Sequence, residues 1–282
     1  MIRRFIYTHF IQIVILIRYI FASFQHSNAL KTDGTLFTWG YNTYGQLGTG
    51  DVYPRVTPVS ITKHFCQVSG GYSHSLGIDN SGVAWSWGYN PYGQLGDSTL
   101  VNKCVPTAVY PFQFNQISAG MSQSVGLDKS GKIWGWGYNN YGQLGDNSVV
   151  SKSVPVLIGG TNKTFCQISS GRLHSIGLDK NGKIWGWGYN YFGQLGGNIV
   201  VCKSTPIAVL GVNKTFCQIS SGHYHTLSID DNGKVWGWGN NGSGELGINS
   251  IFCYSTPVAV LGINKTFCQI AAGQQSSFGL DK

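Results

Sequence analysis

The chain has 282 residues, 42% of them hydrophobic and only 11% charged, with a formal net charge of +8. That length can bury a substantial core, and its aromatics and aliphatics exclude a disordered glycine-rich chain despite the 40 glycines. The lysines are spread along the sequence rather than clustered, which argues against a nucleic-acid-binding stripe.

The N-terminal segment differs from everything after it. Arg3-Arg4 precedes an Ile-rich apolar run from Phe5 to Phe24, with Ala22-Ser23 near its end. A basic start, an apolar stretch and small residues read as a signal peptide or membrane anchor. The protein would then be secreted or membrane-anchored, and otherwise cytoplasmic. Arg18 and His9 interrupt the run, and an Arg at a span's centre costs about 2.5–3.5 kcal/mol. A non-native start and a buried strand are the remaining readings. Residues 1–25 are set apart as a hydrophobic leader and 26–282 as one repeat domain. Membrane contact is expected only through residues 1–24.

From residue 26 onward a single phrase recurs. All nine tryptophans belong to it: Trp39-Gly40, Trp85-Ser86-Trp87-Gly88, Trp134-Gly135-Trp136-Gly137, Trp185-Gly186-Trp187-Gly188 and Trp236-Gly237-Trp238-Gly239. The later aromatic falls at 39, 87, 136, 187 and 238, a period of 48 to 51 residues, which signals a solenoid, array or propeller. Within one unit, Ser175-Ile176-Gly177-Leu178-Asp179 alternates like a half-buried strand. Asn181-Gly182 predicts a tight turn, because both residues tolerate positive φ. Ile184–Gly188 pairs back across it. The segment after Pro206 and Phe216–Ser220 supply two more strands. No stretch of the repeats has helical spacing with caps. Four short antiparallel strands about every 50 residues describe an all-β fold, the blades of a β-propeller.

Gly71-Tyr72-Ser73-His74-Ser75, a strand ending in Asp79, the turn glycine Gly82 and Trp87-Gly88-Tyr89-Asn90-Pro91-Tyr92-Gly93-Gln94-Leu95-Gly96 together resemble the regulator of chromosome condensation repeat. The resemblance runs from about residue 26 to 282. It implies a β-propeller, usually seven-bladed, but no single activity, since such propellers serve as exchange factors for small GTPases, photoreceptors, inhibitors and interaction domains. The plant ultraviolet-B photoreceptors of the family use Trp in the Gly-x-x-His pair, and this chain has none there. Only five Trp-Gly hairpins occur. Gln25–Leu30 and Ser276–Asp281 align with the same strand, so the chain reads as a five-bladed ring with one redundant strand or, preferably, an incomplete arc of a longer array.

The sequence makes no positive case for an enzyme. No phosphate loop, nucleophile elbow or paired carboxylate stands out, and no catalytic residue, cofactor or metal site is assigned. His26, His74, His174 and His225 share one repeat position that Gln123 and Ser276 fill elsewhere, which reads as structural hydrogen bonding. Asp79, Asp128, Asp179 and Asp230 read as strand-end residues. The seven cysteines include no Cys-x-x-Cys, so a zinc site does not fit; they read as small buried hydrophobes.

Positions that differ between copies are free of blade packing. One set is the pair inside Gly-x-x-His, which in related propellers lies on the face that meets partners. The candidate partner-binding residues are Tyr72, Met121, Arg172, Leu173, His223, Tyr224 and Gln274. They include types enriched at interfaces, and they are expected to converge on one face. The other set, the loops 97–105, 146–154, 197–205 and 248–256, reads as edge loops. The leading function is a non-enzymatic interaction scaffold that binds a protein partner through the ring face. The alternatives are a guanine-nucleotide exchange factor, by resemblance alone, and an extracellular or virion-surface recognition module.

Overall fold

The computed structural model describes residues 17–261 and 265–281. They form five four-stranded antiparallel sheets and a sixth sheet of two strands, with no helix among the described residues. The fourth blade shows the pattern. It runs Phe165–Ser170, His174–Asp179, Ile184–Gly188 and Lys203–Ala208, each strand paired with the next.

The hairpin at its centre follows from local chemistry. Gly182 has φ +71°, a conformation that favours glycine. Asp179 Oδ1 accepts the amides of Asn181 (2.8 Å) and Lys183 (3.0 Å), and its other oxygen accepts Trp185 Nε1 at 3.0 Å. The repeated aspartate therefore caps the turn and fixes the first tryptophan, and Asp79, Asp128 and Asp230 do the same. The fourth strand begins at Lys203 and includes Pro206, rather than starting after it. As the outermost strand it has a free edge, where a missing amide donor is tolerated.

The first strands of successive blades touch one another and so line the axis. Side chains zip them together. Gln67 Oε1 accepts the Ile117 amide at 3.1 Å, and Gln116, Gln167 and Gln218 repeat the bond to Ile168, Ile219 and Ile270. The core lies between blades. Trp87, Trp136, Trp187 and Trp238 are fully buried, each packed against aliphatics of the preceding blade. Gly96 shows how tight this is: a Cβ there would stand 2.9 Å from Trp136.

The histidine position is a second joint between blades. His26, His74, His174 and His225 place Nε2 2.8–3.2 Å from the hydroxyls of Ser75, Ser124, Thr226 and Ser277. Each hydroxyl already donates to a carbonyl, of Gln46, Gln94, Gln194 and Glu245 respectively. The imidazole must therefore donate from Nε2, which leaves Nδ1 bare and buried without a partner. Gln123 does the same job with its amide, donating to the Gly171 carbonyl at 3.0 Å.

Three expectations change. Ile17–Ala22 forms the first strand of blade 1, paired with His26–Lys31, so the sheet begins inside the segment set apart as a leader. The leader reading for residues 1–16 lies outside the described residues. The chain is not a five-bladed ring with a spare strand: blade 1 has four strands, and Phe267–Ala272 with Ser277–Asp281 form a separate sixth sheet. The cysteines are not buried. Cys166, Cys217, Cys253 and Cys268 are exposed and the other three half-buried. Cys66, Cys166, Cys217 and Cys268 line the open lower mouth of the axis, a cavity of about 1080 Å³, where no neighbouring strand covers them.

Candidate functional site

Antiparallel order sends the links between first and second strands, and between third and fourth, to one end of every blade. This upper face carries the Gly-x-x-His pairs. Around the axis their side chains enclose a depression of about 220 Å³ lined by Phe24, Tyr72, Met121, Arg172, His223 and Gln274 among others. The pairs' backbone is stitched from blade to blade. The amides of Tyr72, Met121, Arg172 and His223 donate to the carbonyls of Met121, Arg172, His223 and Gly273 at 3.1–3.3 Å. The main chain is fixed while the side chains differ.

Within the depression Phe24 stacks on Tyr72 with ring centres 4.0 Å apart and lies 6.0 Å from His223 across the axis. Arg172 Nε donates to Met121 Sδ at 3.2 Å, and its guanidinium sits 5.3 Å from the Tyr224 ring centre. Burial, and next the Arg172 charge, hold His223 below the usual imidazole range. Among the described residues, Arg172 is the only charged side chain lining the depression.

The structure thus brings Tyr72, Met121, Arg172, His223 and Gln274 together. It does not bring Leu173 to the surface. Leu173 is only 8% exposed, and Ser73 and Ser122 are likewise buried, because in these three blades the second residue of the pair turns inward under its neighbour. The equivalent Gln25 and Gln275 are exposed and Tyr224 is half-buried. Tyr224 stands outside the depression, packed on Tyr189 and Phe192 at 5.5 and 5.3 Å and covered by Arg172.

Two features escaped the sequence reading. Phe24 belongs to the segment taken as a leader, although Ser23-Phe24-Gln25-His26 fits Gly-x-x-His with Ser for Gly. The other is a belt of aromatic rings around the depression: Tyr41, Tyr44, Tyr89, Tyr92, Tyr138, Tyr141, Tyr189, Phe192 and Tyr224. Neighbouring rings along it lie 4.6 to 6.4 Å apart, mostly edge to face. Burial, then the neighbouring phenols, push Tyr89, Tyr138 and Tyr189 up, so they stay neutral donors. The signal was present as Tyr-Asn-x-Tyr-Gly, which the sequence reading took only as part of the repeat motif. Among the described residues no group of three or more His, Cys, Asp or Glu is placed to hold a metal.

A family model for the regulator of chromosome condensation (RCC1) repeat matches residues 33–78, 81–127, 130–178, 181–229 and 232–280. The chain belongs to the RCC1 repeat family. A second model of the same repeat matches five segments beginning with 17–46, in agreement with the strand at Ile17–Ala22. Among curated relatives, the ultraviolet-B receptor UVR8 of Arabidopsis thaliana is 30% identical over 237 residues, covering 82% of this chain and 43% of the receptor. The human probable E3 ubiquitin-protein ligase HERC6 is 33% identical over 117 residues, 40% of this chain and 11% of the ligase. The chain therefore spans less than half of either relative. Two solved structures share the fold. Human WBSCR16 superposes with a TM-score of 0.85 at 23% identity over 94% of this chain and 72% of its own. Prp20p of Saccharomyces cerevisiae gives 0.83 at 20% identity over 94% and 69%. No tryptophan lines the depression.

Proposed function

We propose that the protein is a non-enzymatic recognition propeller that binds a protein partner through its upper face, centred on the axial depression. One observation supports this most. Around a strongly repeated scaffold, the axial positions carry six different side chains: Phe24, Tyr72, Met121, Arg172, His223 and Gln274. Their backbone is pinned, so the surface is preorganised at little entropic cost on binding. Aromatic, Met and Arg side chains at the centre of a face are the types that anchor protein interfaces. The Prp20p structure was described with its binding properties to Gsp1p and histones, so a propeller of this fold serves as a binding platform.

The test is site-specific photo-crosslinking in cells that express the chain. A crosslinker at Met121 should yield discrete protein adducts, and one at Lys129 on the lower face should not. Alanine at Arg172 and Tyr224 together should remove the Met121 adducts. Adducts from Lys129 alone, or adducts insensitive to the double change, would refute this reading.

A further inference from the structure

A second set of upper-face residues has no role in packing. Each long link between third and fourth strands presents two adjacent apolar side chains to solvent: Val52-Tyr53, Leu100-Val101, Val149-Val150, Val200-Val201 and Ile251-Phe252. All ten are 51–74% exposed. Their loops are not slack. Buried Asn42, Asn90, Asn139 and Asn190 donate from Nδ2 to the carbonyls of Tyr53, Val101, Val150 and Val201 at 3.0–3.2 Å. Ser98, Asn147 and Asn198 adopt φ of 55–62° and donate their amides to Ser153, Ser204 and Ser255 of the next blade, each at 2.9 Å. The fold thus holds ten water-facing apolar side chains rigidly, at equivalent points around one face.

We infer that these five loops form a membrane-docking rim that seats the upper face on an anionic phospholipid surface. Isolated exposed hydrophobes need no explanation, but a repeated set on one face marks a protein or membrane contact. Uniformity decides between the two. A protein partner needs an address, and the rim offers an adjacent apolar pair in every blade, aliphatic in three and aromatic at its second member in the first and last, whereas the axial side chains mix apolar, polar and charged types. A bilayer has no shape to match and can meet all five loops at once. Charge points the same way. A basic residue follows two positions after four of the pairs: Arg55, Lys103, Lys152 and Lys203. Asp97 and Asp146, which pair with Lys103 and Lys152, are nearly buried beneath them, whereas Asp51, which pairs with Arg55, is as exposed as its partner; with Lys203, the four cations outnumber the three acids and leave the rim net positive. Apolar tips flanked by cations are the composition of interfacial anchors, which add lipid burial to attraction for anionic headgroups.

The loops surround the axial depression but share no residue with it, so the two sets can be changed separately. The decisive experiment is flotation of the full chain with vesicles of phosphatidylcholine and phosphatidylserine at about 7:3, and with phosphatidylcholine alone. The chain is expected to float with the mixed vesicles and several-fold less with the neutral ones. The quadruple variant V149S, V150S, V200S, V201S should lose tenfold or more of that partition with an unchanged melting curve, since its side chains already face water. R172A should float like the parent chain. No binding to the mixed vesicles, equal binding by the quadruple variant, or equal binding to both vesicles would each overturn the proposal. So would loop-dependent self-association in solution without vesicle binding, which would assign the rim to a second copy of the chain.

Discussion

The two faces of the propeller are built from the same strands and differ in almost every exposed side chain. The lower face carries the three-residue hairpin turns between second and third strands. There the geometry dictates the residues: an aspartate to accept the turn amides, a glycine at positive φ, and a lysine where the next strand starts. Its exposed charges, including Lys129, Lys132, Lys180, Lys183 and Lys234, are by-products of that grammar and recur in three successive blades. The upper face consists of longer links whose shape is held from below by buried Asn side chains and backbone bonds between blades. Side chains that do not hold the loop are free to vary or to be apolar, and here they are aromatic, aliphatic and sparsely charged. A repeat fold thus separates a face set by turn chemistry from a face open to function.

The largest test of this comparison is acid. Burial drives His26 and His225 down to about 4 and His74 and His174 to about 3, and each imidazole has a bare, buried Nδ1 that cannot take a proton without losing its environment. Between about pH 6.5 and these values the unfolded chain binds more protons than the folded one. Stability therefore falls as pH drops through this window and is unaffected by these groups above it. Each histidine contributes roughly 1.4 kcal/mol per pH unit, so four of them should cost several kcal/mol between pH 6.5 and 5. Chemical denaturation across that range checks it. H174Q should reduce the slope by about a quarter while leaving the upper face intact, because Gln123 already makes this joint. A flat profile would mean that the blade joints open to water.

Next in size is Trp136→Ala. The ring is fully buried between blades and donates Nε1 to the Gln94 carbonyl at 2.9 Å. Its loss should cost about 3–5 kcal/mol, measured by the denaturation midpoint. A smaller change follows Asn139→Ala. Asn139 donates to Asp146 and to the carbonyls of Ser148 and Val150, and accepts the Leu144 amide. Removing it strands several buried groups at about 1–3 kcal/mol, and amide exchange should rise in residues 146–151. Lys132→Gln, on the lower face, should stay within about 0.5 kcal/mol. If the two cost the same, the faces are not held in different ways.

What was legible in the sequence follows from this division. The strands, the hairpin at Asn181-Gly182 and the buried tryptophans depend on local pattern repeated five times, and one chain shows that pattern well. The histidines were recognisable as structural because Gln123 and Ser276 stand in the same place. The first strand was hidden because Ile17–Ala22 lacks the Gln-Ile-Ser wording of its counterparts and follows an apolar run that imitates a leader. Leu173 looked like a partner of Arg172 because sequence does not tell which member of a two-residue turn faces inward. The aromatic belt and the apolar rim stayed unseen for a different reason. Each is a ring made of single residues about 50 positions apart, and only closure of the blades around an axis turns them into surfaces. Cys66, Cys166, Cys217 and Cys268 misled because a small apolar residue at an innermost strand reads as core, whereas innermost here means lining an open axis.

One small expected effect bears most directly on the comparison. Arg172→Ala removes the cation of the axial depression, its contact with Met121 and its place over Tyr224. An exposed cation–π contact is worth about 0.5–1 kcal/mol, and the backbone bonds that set the turn run through the Arg172 amide and carbonyl, which alanine keeps. Stability should therefore fall by no more than about 1 kcal/mol, while crosslinking from Met121 to a partner is lost. A charge whose removal is felt by a partner and hardly by the fold belongs to recognition. If Arg172→Ala instead cost as much as Trp136→Ala, the axial side chains would belong to packing. Their variety would then record how each blade fills its own gap, and the distinction between the two faces would fail at the point where it matters for function.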